Sequence, residues 1–176
     1  LLSLTKDGLD IGSVNDINFS SKSDDDIKKL FSASLNKGLH GLCFSPYQEG
    51  QDIGDQLTEE QIQKRMEIIA PHTKWVRSFS CIEGNEHIPR MAHKHGLKNM
   101  VGAWLSDNKE VNEEEIENLI KVAKAGNADL VAVGNEVLYR EELTEEELLE
   151  YILRVKNELP GIQVGYVDAY YEFCNR

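Results

Sequence analysis

The sequence of 176 residues is poor in cysteine, proline, aromatic residues and positive charge. It has 3 Cys, 4 Pro and 7% aromatic residues, with 19 Lys and Arg against 31 Asp and Glu. Three cysteines at long spacings form neither a disulfide framework nor a zinc pattern, so we expect buried free thiols. The net charge of −12 disfavours binding to nucleic acid or anionic membranes. It is compatible with a neutral substrate or with simple solubility.

Long apolar runs and nucleotide-binding glycine loops are also missing. No segment reaches the roughly eighteen apolar residues of a transmembrane helix. The opening LLSLTKDG lacks the basic and apolar regions of a signal peptide, so neither a membrane span nor a signal peptide is predicted. No GxGxxG or GxxxxGKS/T loop follows any candidate strand, which argues against the common nucleotide-binding domains.

Five short apolar runs alternate with amphipathic helices along the chain. The runs are GLHGLCF (38–44), KWVRSFS (74–80), LKNMVGAWL (97–105), ADLVAVG (128–134) and IQVGYVDAY (162–170). Most are apolar on both faces, as in strands buried in a parallel sheet. Thr58, Asn112 and Thr144 each stand three positions before Glu or Gln, which predicts capping boxes at helix starts. The alternation predicts an α/β fold with a parallel sheet.

Two architectures fit this alternation. A doubly wound domain with five strands would be complete at this length, whereas a (β/α)8 TIM barrel needs about 250 residues. The missing nucleotide fingerprints favour the barrel, of which the chain would cover about the first five βα units. Residues 1–22 are then an N-terminal extension, and residues 23–176 are the N-terminal portion of a single barrel domain.

The tripeptide Gly-Asn-Glu occurs twice, and its surroundings separate the two copies. Glu136 ends an apolar run, where a barrel would place it at the mouth beside a dry core. Such surroundings favour a protonated carboxyl, which suits a general acid, and Asn135 could hold a sugar hydroxyl. The alternative is a loop start that caps a helix. In the other copy, Asn85 is predicted to be an N-cap, with Glu86 in the first helical turn.

Three histidines, His87, His93 and His95, lie close to Glu83 and Glu86 and raise the question of a metal site. His93 and His95 are two positions apart, whereas ligand pairs on a helix lie three or four apart. We therefore predict no metal and no cofactor.

Five motifs follow the predicted strands in order: FSPYQEG, VRSFSC, VGAWL, VAVGNEVLYR and VGYVDAYYEF. Together they resemble glycoside hydrolase family 17, the β-1,3-glucanases and glucanosyltransferases of clan A, and especially its bacterial and fungal members. GNEVLYR is the most specific of them. The resemblance covers about residues 24–176. It implies a TIM barrel, a retaining double displacement and β-glucan as the bound partner.

The resemblance also implies roles for individual residues. Glu136 matches the acid/base residue, and Asn135 matches the asparagine that contacts the sugar next to the cleaved bond. Further residues that could contact the glucan are Tyr47, Arg77, Trp104, Asp168 and Tyr170. A charge in an apolar strand needs a partner, so packing is an equal alternative for the two charged ones. The tryptophan and Tyr170 are more often structural, although aromatic faces also stack on sugars.

One half of the family's catalytic pair is missing from this sequence. A retaining glycosidase needs two carboxyls about 5–5.5 Å apart. The family places its nucleophile on strand seven in a Thr-Glu-Thr-Gly-like context, which does not occur here. We therefore expect a longer enzyme. The alternatives are a half-barrel that pairs with a second copy and a non-catalytic glucan-binding protein.

A chain truly truncated at this point would expose sheet edges and an apolar interior, and we expect it to self-associate. The sequence leaves open whether the reaction is hydrolysis or transglycosylation, and which linkage is preferred. It also leaves the compartment open, because glucan substrates usually lie outside the cytoplasm but no signal peptide is visible.

Overall fold

The computed structural model describes residues 18–174, which fall into two compact units divided between Lys37 and Gly38. Most of the extension predicted over residues 1–22 lies outside the described residues, and so does the segment LLSLTKDG. The predicted domain boundary at residue 23 therefore stays a prediction.

The first unit contains helix α1, Asp24–Lys37. Ser23 begins this helix through a reciprocal cap with Asp26. The Asp26 amide donates to the Ser23 hydroxyl, and the Ser23 amide donates to the Asp26 carboxylate, each over 3.3 Å. Three aspartates in the first turn also suit the positive end of the helix dipole.

The second unit is built on five parallel strands. They are β1 Leu39–Cys43, β2 Thr73–Arg77, β3 Lys98–Ala103, β4 Leu130–Asn135 and β5 Gln163–Val167. Their order in the sheet is β1-β2-β3-β4-β5. A doubly wound sheet reverses its order at a switch point, whereas a barrel adds each strand beside the previous one. The predicted α/β fold is confirmed, and the strand order is consistent with consecutive βα units of a TIM barrel.

Helices connect the strands and pack against one face of the sheet. They are α2 Glu59–Ile69, α3 Ile88–Lys94, α4 Lys109–Lys124 and α5 Glu145–Glu158, and α6 Tyr170–Cys174 follows β5. Val76 packs with residues of α2 and α3, while Val101, Val131 and Val133 pack with residues of α4 and α5. The opposite face carries an open hollow lined by side chains that include Trp75. No helix among residues 18–174 is long and apolar enough to cross a membrane.

The expectation that the strands are buried on both faces applies to the centre of the sheet and fails at its edges. Every residue of β4 from Val131 to Asn135 is buried. The edge strand β1 leaves His40, Gly41 and Cys43 exposed. An edge strand has a neighbour on one side only, which explains the difference.

Of the three predicted capping boxes, the one at Thr144 is confirmed, and Thr58 is confirmed as an N-cap. Thr144 forms a complete capping box with Glu147, and the Thr58 hydroxyl accepts from the Gln61 amide at 3.2 Å. The prediction for Asn112 is wrong, because α4 begins one turn earlier and is capped by Asn108. Asn112 is buried, and its side chain bonds both the amide and the carbonyl of Ser106, at 2.8 and 2.7 Å. It holds the loop after β3 instead of starting a helix.

The prediction of three buried thiols is correct for Cys81 only, since Cys43 and Cys174 are exposed. Burial raises the pKa of the Cys81 thiol well above its usual value, and nearby carboxylates add to the effect. Its sulfur lies 3.3 Å from the Gly102 carbonyl oxygen. Cys81 therefore behaves as a packed, inert thiol.

Gly84 offers a direct test of the loop after β2. Its φ is 88°, and a Cβ at this position would lie 2.2 Å from the Leu57 carbonyl oxygen. Gly126 has a similar φ of 78° but open space around it. We expect Gly84→Ala to lower the free energy of unfolding by about 3 kcal/mol or more, since strain and a backbone clash combine. Gly126→Ala, the matched control, should cost about 1 kcal/mol in urea denaturation. Equal losses in the two variants would contradict this account.

Candidate active site

The carboxyl end of β4 carries the central pair of the candidate site. Asn135 is buried as the last residue of the strand, and Glu136 follows it with an exposed side chain and a φ of 54°. Two expectations for Glu136 are therefore wrong: it lies one residue beyond the strand, and its surroundings are not dry. A left-handed residue turns the backbone out of the pleat and ends the strand. Its amide still donates to the Val167 carbonyl of β5, at 2.8 Å.

Arg77 reaches this pair from the end of β2. Its Nη2 donates to the Asn135 Oδ1 over 2.5 Å, and its guanidinium lies 4.6 Å from the centre of the Phe79 ring. Because arginine only donates, the amide oxygen of Asn135 must face it. The Asn135 Nδ2 donors consequently point away from Arg77. The structure thus brings together two residues that the sequence analysis assigned to one site.

Trp104 follows β3 and is joined to β4 by Arg140, a residue that the sequence analysis missed. The Arg140 guanidinium lies 4.5 Å from the centre of the Trp104 ring. It also donates to the backbone carbonyls of Asn135 and Leu105, the latter at 2.9 Å. The signal for Arg140 was its place in GNEVLYR, four residues after Glu136, where a side chain can fold back over the strand end.

Asp168 follows β5 and faces the loop after β4. It accepts from the Tyr166 hydroxyl and, at 3.4 Å, from the Tyr139 amide. The Tyr166 hydroxyl itself accepts from the Leu138 amide at 3.0 Å. Burial raises the pKa of Tyr166, and the hydrogen bond to Asp168 raises it further. Tyr166 therefore stays a neutral donor that locks Asp168 in place.

Tyr170 begins α6 and is 80% exposed, so most of its ring surface is accessible to solvent. Its ring meets that of Tyr171 edge to face with centres 5.7 Å apart, and Tyr171 meets Tyr139 in the same way at 6.0 Å. These three tyrosines lie in the segments that follow the ends of β4 and β5. Exposed aromatic faces of this kind can stack on sugar rings.

Tyr47 is the one candidate whose packing points elsewhere. It is half-buried in the loop after β1 and packs against the core cluster of β2, α2 and α3. Its assignment to substrate binding stays a prediction. The remaining candidates lie at or just beyond the carboxyl ends of β2, β3, β4 and β5, the edge where parallel α/β folds place their active sites.

The other Gly-Asn-Glu copy has a structural role, but the predicted cap is wrong. Gly84 precedes a short 3-10 turn, Asn85–His87, and no side chain caps this turn. Asn85 is buried inside the turn, and its Nδ2 donates backwards to the Ile82 carbonyl at 3.1 Å. The left-handed Gly84 starts the turn one residue earlier than a capping asparagine would.

The three histidines have separate partners. His87 lies 3.5 Å from Glu59 and 3.6 Å from Glu86, His93 lies 2.9 Å from Asp129, and the His95 ring lies 2.8 Å from the Gln63 amide. In residues 18–174 no group of three or more His, Cys, Asp or Glu side chains could hold a metal ion. The prediction of no cofactor stays a prediction.

A buried carboxyl beneath the site was also missed. Glu115 of α4 is 1% exposed, and it accepts from the Ser80 hydroxyl at 2.5 Å and the Cys81 amide at 2.7 Å. The Trp104 amide further stabilises its charged form, yet burial dominates and raises the pKa of Glu115 to about 7. Its position in the stripe formed with Ile116 and Leu119 was the available signal, because a glutamate on the inward face of a helix needs partners.

An exposed glutamate and a buried asparagine thus lie at one strand end, with two arginines and aromatic rings close to them. The chain belongs to the family described as the BtgE/BtgC glycoside hydrolase domain, which matches residues 41–175. No solved structure gives a significant match.

Curated relatives match part of the chain at low identity. The chain is 30% identical to a glucan 1,3-beta-glucosidase of Arthroderma benhamiae over 123 residues, which is 66% of this chain and 39% of the relative. It is 26% identical to a glucan 1,3-beta-glucosidase of Candida albicans over 120 residues, 60% of this chain and 39% of that relative. The match thus spans about two fifths of the length of these relatives.

The buried Glu115 predicts a specific dependence of stability on pH. Its pKa is raised from 4.5 to about 7 in the folded chain, so the native state binds more protons than the unfolded state between these values. The free energy of unfolding gained from this group is therefore complete below pH 4.5 and is lost as the pH rises through 7.

Glu115→Gln removes the titration, so the stability of the natural protein relative to this variant should fall by about 3 kcal/mol between pH 4.5 and pH 7.5. Urea denaturation of both proteins at the two pH values measures the difference. Glu114→Gln, the exposed neighbour, is the control and should show no such trend. A constant difference between the natural protein and Glu115→Gln would refute the assignment.

Proposed function

We propose that the chain is part of a retaining glycosidase of the family 17 type that acts on β-1,3-glucan by hydrolysis or transglycosylation. Glu136 is the acid/base residue. It donates a proton to the leaving glycosidic oxygen, then removes one from the incoming water or acceptor sugar. The nucleophilic carboxylate belongs to a part of the protein beyond these residues.

The observation that carries this proposal is the arrangement at the end of β4. Asn135 is fixed by Arg77 with its Nδ2 donors directed away from the arginine. Glu136 stands next to it, exposed and anchored by its amide to β5. This arrangement supports a role for Asn135 as a donor to a sugar hydroxyl, beside a carboxyl that exchanges protons with the glycosidic oxygen.

Support for the substrate class comes from the names of the relatives and from the aromatic surroundings. Both relatives are glucan 1,3-beta-glucosidases. Trp104, Tyr139 and Tyr170 offer rings near the strand ends, and sugars bind by stacking on such rings. Arg77, Asp168 and Tyr47 complete the set of residues that we assign to glucan binding.

A second candidate function is glucan binding without catalysis. It is supported by the exposed rings of Tyr139 and Tyr170, on which a sugar can stack without any catalytic group. Such a protein would bind laminarin but release no reducing sugar.

The decisive experiment compares Glu136→Gln with the natural full-length protein on laminarin. General acid–base catalysis contributes about 100- to 10,000-fold, so kcat should fall by that factor while the circular dichroism spectrum is unchanged. The matched control is Glu86→Gln in the other Gly-Asn-Glu copy, which should keep kcat within about threefold because the half-buried Glu86 pairs with His87 and not with a residue of the β4 strand end.

Three outcomes separate the possibilities. Full activity of Glu136→Gln would remove Glu136 from the mechanism. Binding of laminarin without reducing-sugar release in the natural protein would favour the binding function. Nuclear magnetic resonance of the first-formed product tests the stereochemistry, and an inverted anomer would overturn the retaining mechanism.

A further inference from the structure

We propose that Arg140 is a positioning residue that holds the backbone of Asn135 and Glu136, and the ring of Trp104, in the geometry used for catalysis. This inference rests on the proposed function of Glu136, because it assigns Arg140 an effect on that residue's proton transfer. Arg140 itself need not touch the substrate.

The hydrogen bonds of Arg140 join the ends of two strands. Nη1 donates to the Asn135 carbonyl, and Nη2 donates to the Leu105 carbonyl at 2.9 Å and to the Glu142 carboxylate at 2.6 Å. The arginine side chain is only 23% exposed. A half-buried charge is costly unless it is paired, and Glu142 provides the pairing here. The guanidinium is therefore fixed in one orientation across the ends of β3 and β4.

The same guanidinium fixes the aromatic ring predicted to bind sugar. Its central carbon lies 4.5 Å from the centre of the Trp104 ring, a distance typical of cation–π stacking. The backbone of Trp104 is stabilised from below by its interaction with the buried Glu115. Arg140 thus holds the ring of Trp104, and Glu115 holds its backbone.

The backbone beside Asn135 needs such support. Glu136 has a left-handed φ of 54°, which is unfavourable for a residue with a side chain. Its amide donates to Val167 at 2.8 Å, and its carbonyl accepts from the Arg140 amide at 2.9 Å. Arg140 therefore holds both peptides that flank Glu136: its side chain bonds the Asn135 carbonyl, and its amide bonds the Glu136 carbonyl.

Lysine cannot replace this function. The contacts use two separate nitrogens of a planar group and the flat face of the guanidinium, whereas lysine offers one compact charge. Arg140→Lys keeps the charge and pairing with Glu142 but cannot bridge both carbonyls and stack on Trp104 at once. It is the informative variant, and Arg140→Ala is the second.

The experiment measures kcat and KM of the natural full-length protein and its variants on laminarin and on an aryl β-glucoside with a good leaving group. We expect Arg140→Lys to lower kcat on laminarin about 100-fold, since a displacement of about 1 Å at a catalytic group has effects of this size. KM should change less than about threefold, because uniform binding is retained. In kcat/KM, which reports the first step, the loss on the aryl glucoside should be at least about tenfold smaller than on laminarin, because its leaving group needs little protonation.

Arg154→Ala is the matched control. Arg154 is a 38% exposed arginine on α5 that pairs with Glu113 and Glu117, so its loss should leave both substrates unaffected. Rates are compared per folded protein, as judged by near-ultraviolet circular dichroism.

Equal losses on the two substrates, or a loss no larger than that of Arg154→Ala, would overturn the positioning role. Failure of both Arg140 variants to fold would replace it with a folding role. If Glu136→Gln is fully active while Arg140→Lys is impaired, the proposed function of Glu136 fails independently of these results.

Discussion

Hydrogen bonds from three different residues hold the end of β4, at the peptide between Asn135 and Glu136 and at the Asn135 side chain. Arg77 of β2 holds the Asn135 side chain, Arg140 holds the Asn135 carbonyl, and Val167 of β5 accepts from the Glu136 amide. The two arginines bring positive charge to the strand end, where they donate to a neutral amide oxygen and to a backbone carbonyl. Charge-assisted donors of this kind are strong and directional, so the backbone before Glu136 has little freedom. The backbone that carries the exposed Glu136 carboxyl is therefore fixed.

The buried Glu115 holds the loops after β2 and β3, as the two arginines hold the end of β4. Glu115 bonds Ser80 and Cys81 after β2, and it interacts with the Trp104 amide after β3. Backbone amides in loops have no ladder partners, and a carboxyl from an adjacent helix satisfies several of them at once. This arrangement buries an ionisable group, and the burial raises the pKa of Glu115 to about 7. The loop order beneath the candidate site is therefore coupled to protonation near neutral pH.

Local patterns in the sequence predicted the parts of the fold that local physics determines. The five strands, the helices and the capping box at Thr144 follow from periodicity and capping chemistry, and the structure contains them. The failures share a different cause. Asn112 has the correct spacing for a cap, yet its side chain is used by Ser106 in the loop before it. Arg140 and Glu115 act through carbonyls and amides of distant segments, and no side-chain pattern encodes where those backbone groups will lie. Such contacts become predictable only once the order of the strands is known.

The two Gly-Asn-Glu copies show that an identical tripeptide does not by itself define a function. Both begin with a left-handed glycine, since φ is 88° at Gly84 and 85° at Gly134. At Gly84 the space for a side chain is taken by the Leu57 carbonyl, and the chain then forms a 3-10 turn that leads into α3. At Gly134 that space is taken by the ring of Tyr166, whose hydroxyl then binds Asp168 and the Leu138 amide. Gly84 thus allows the loop that contains Leu57 to approach closely, and Gly134 allows β5 to do so. What distinguishes the catalytic candidate is therefore the strand that ends there, together with the side chains that adjacent strands bring to it.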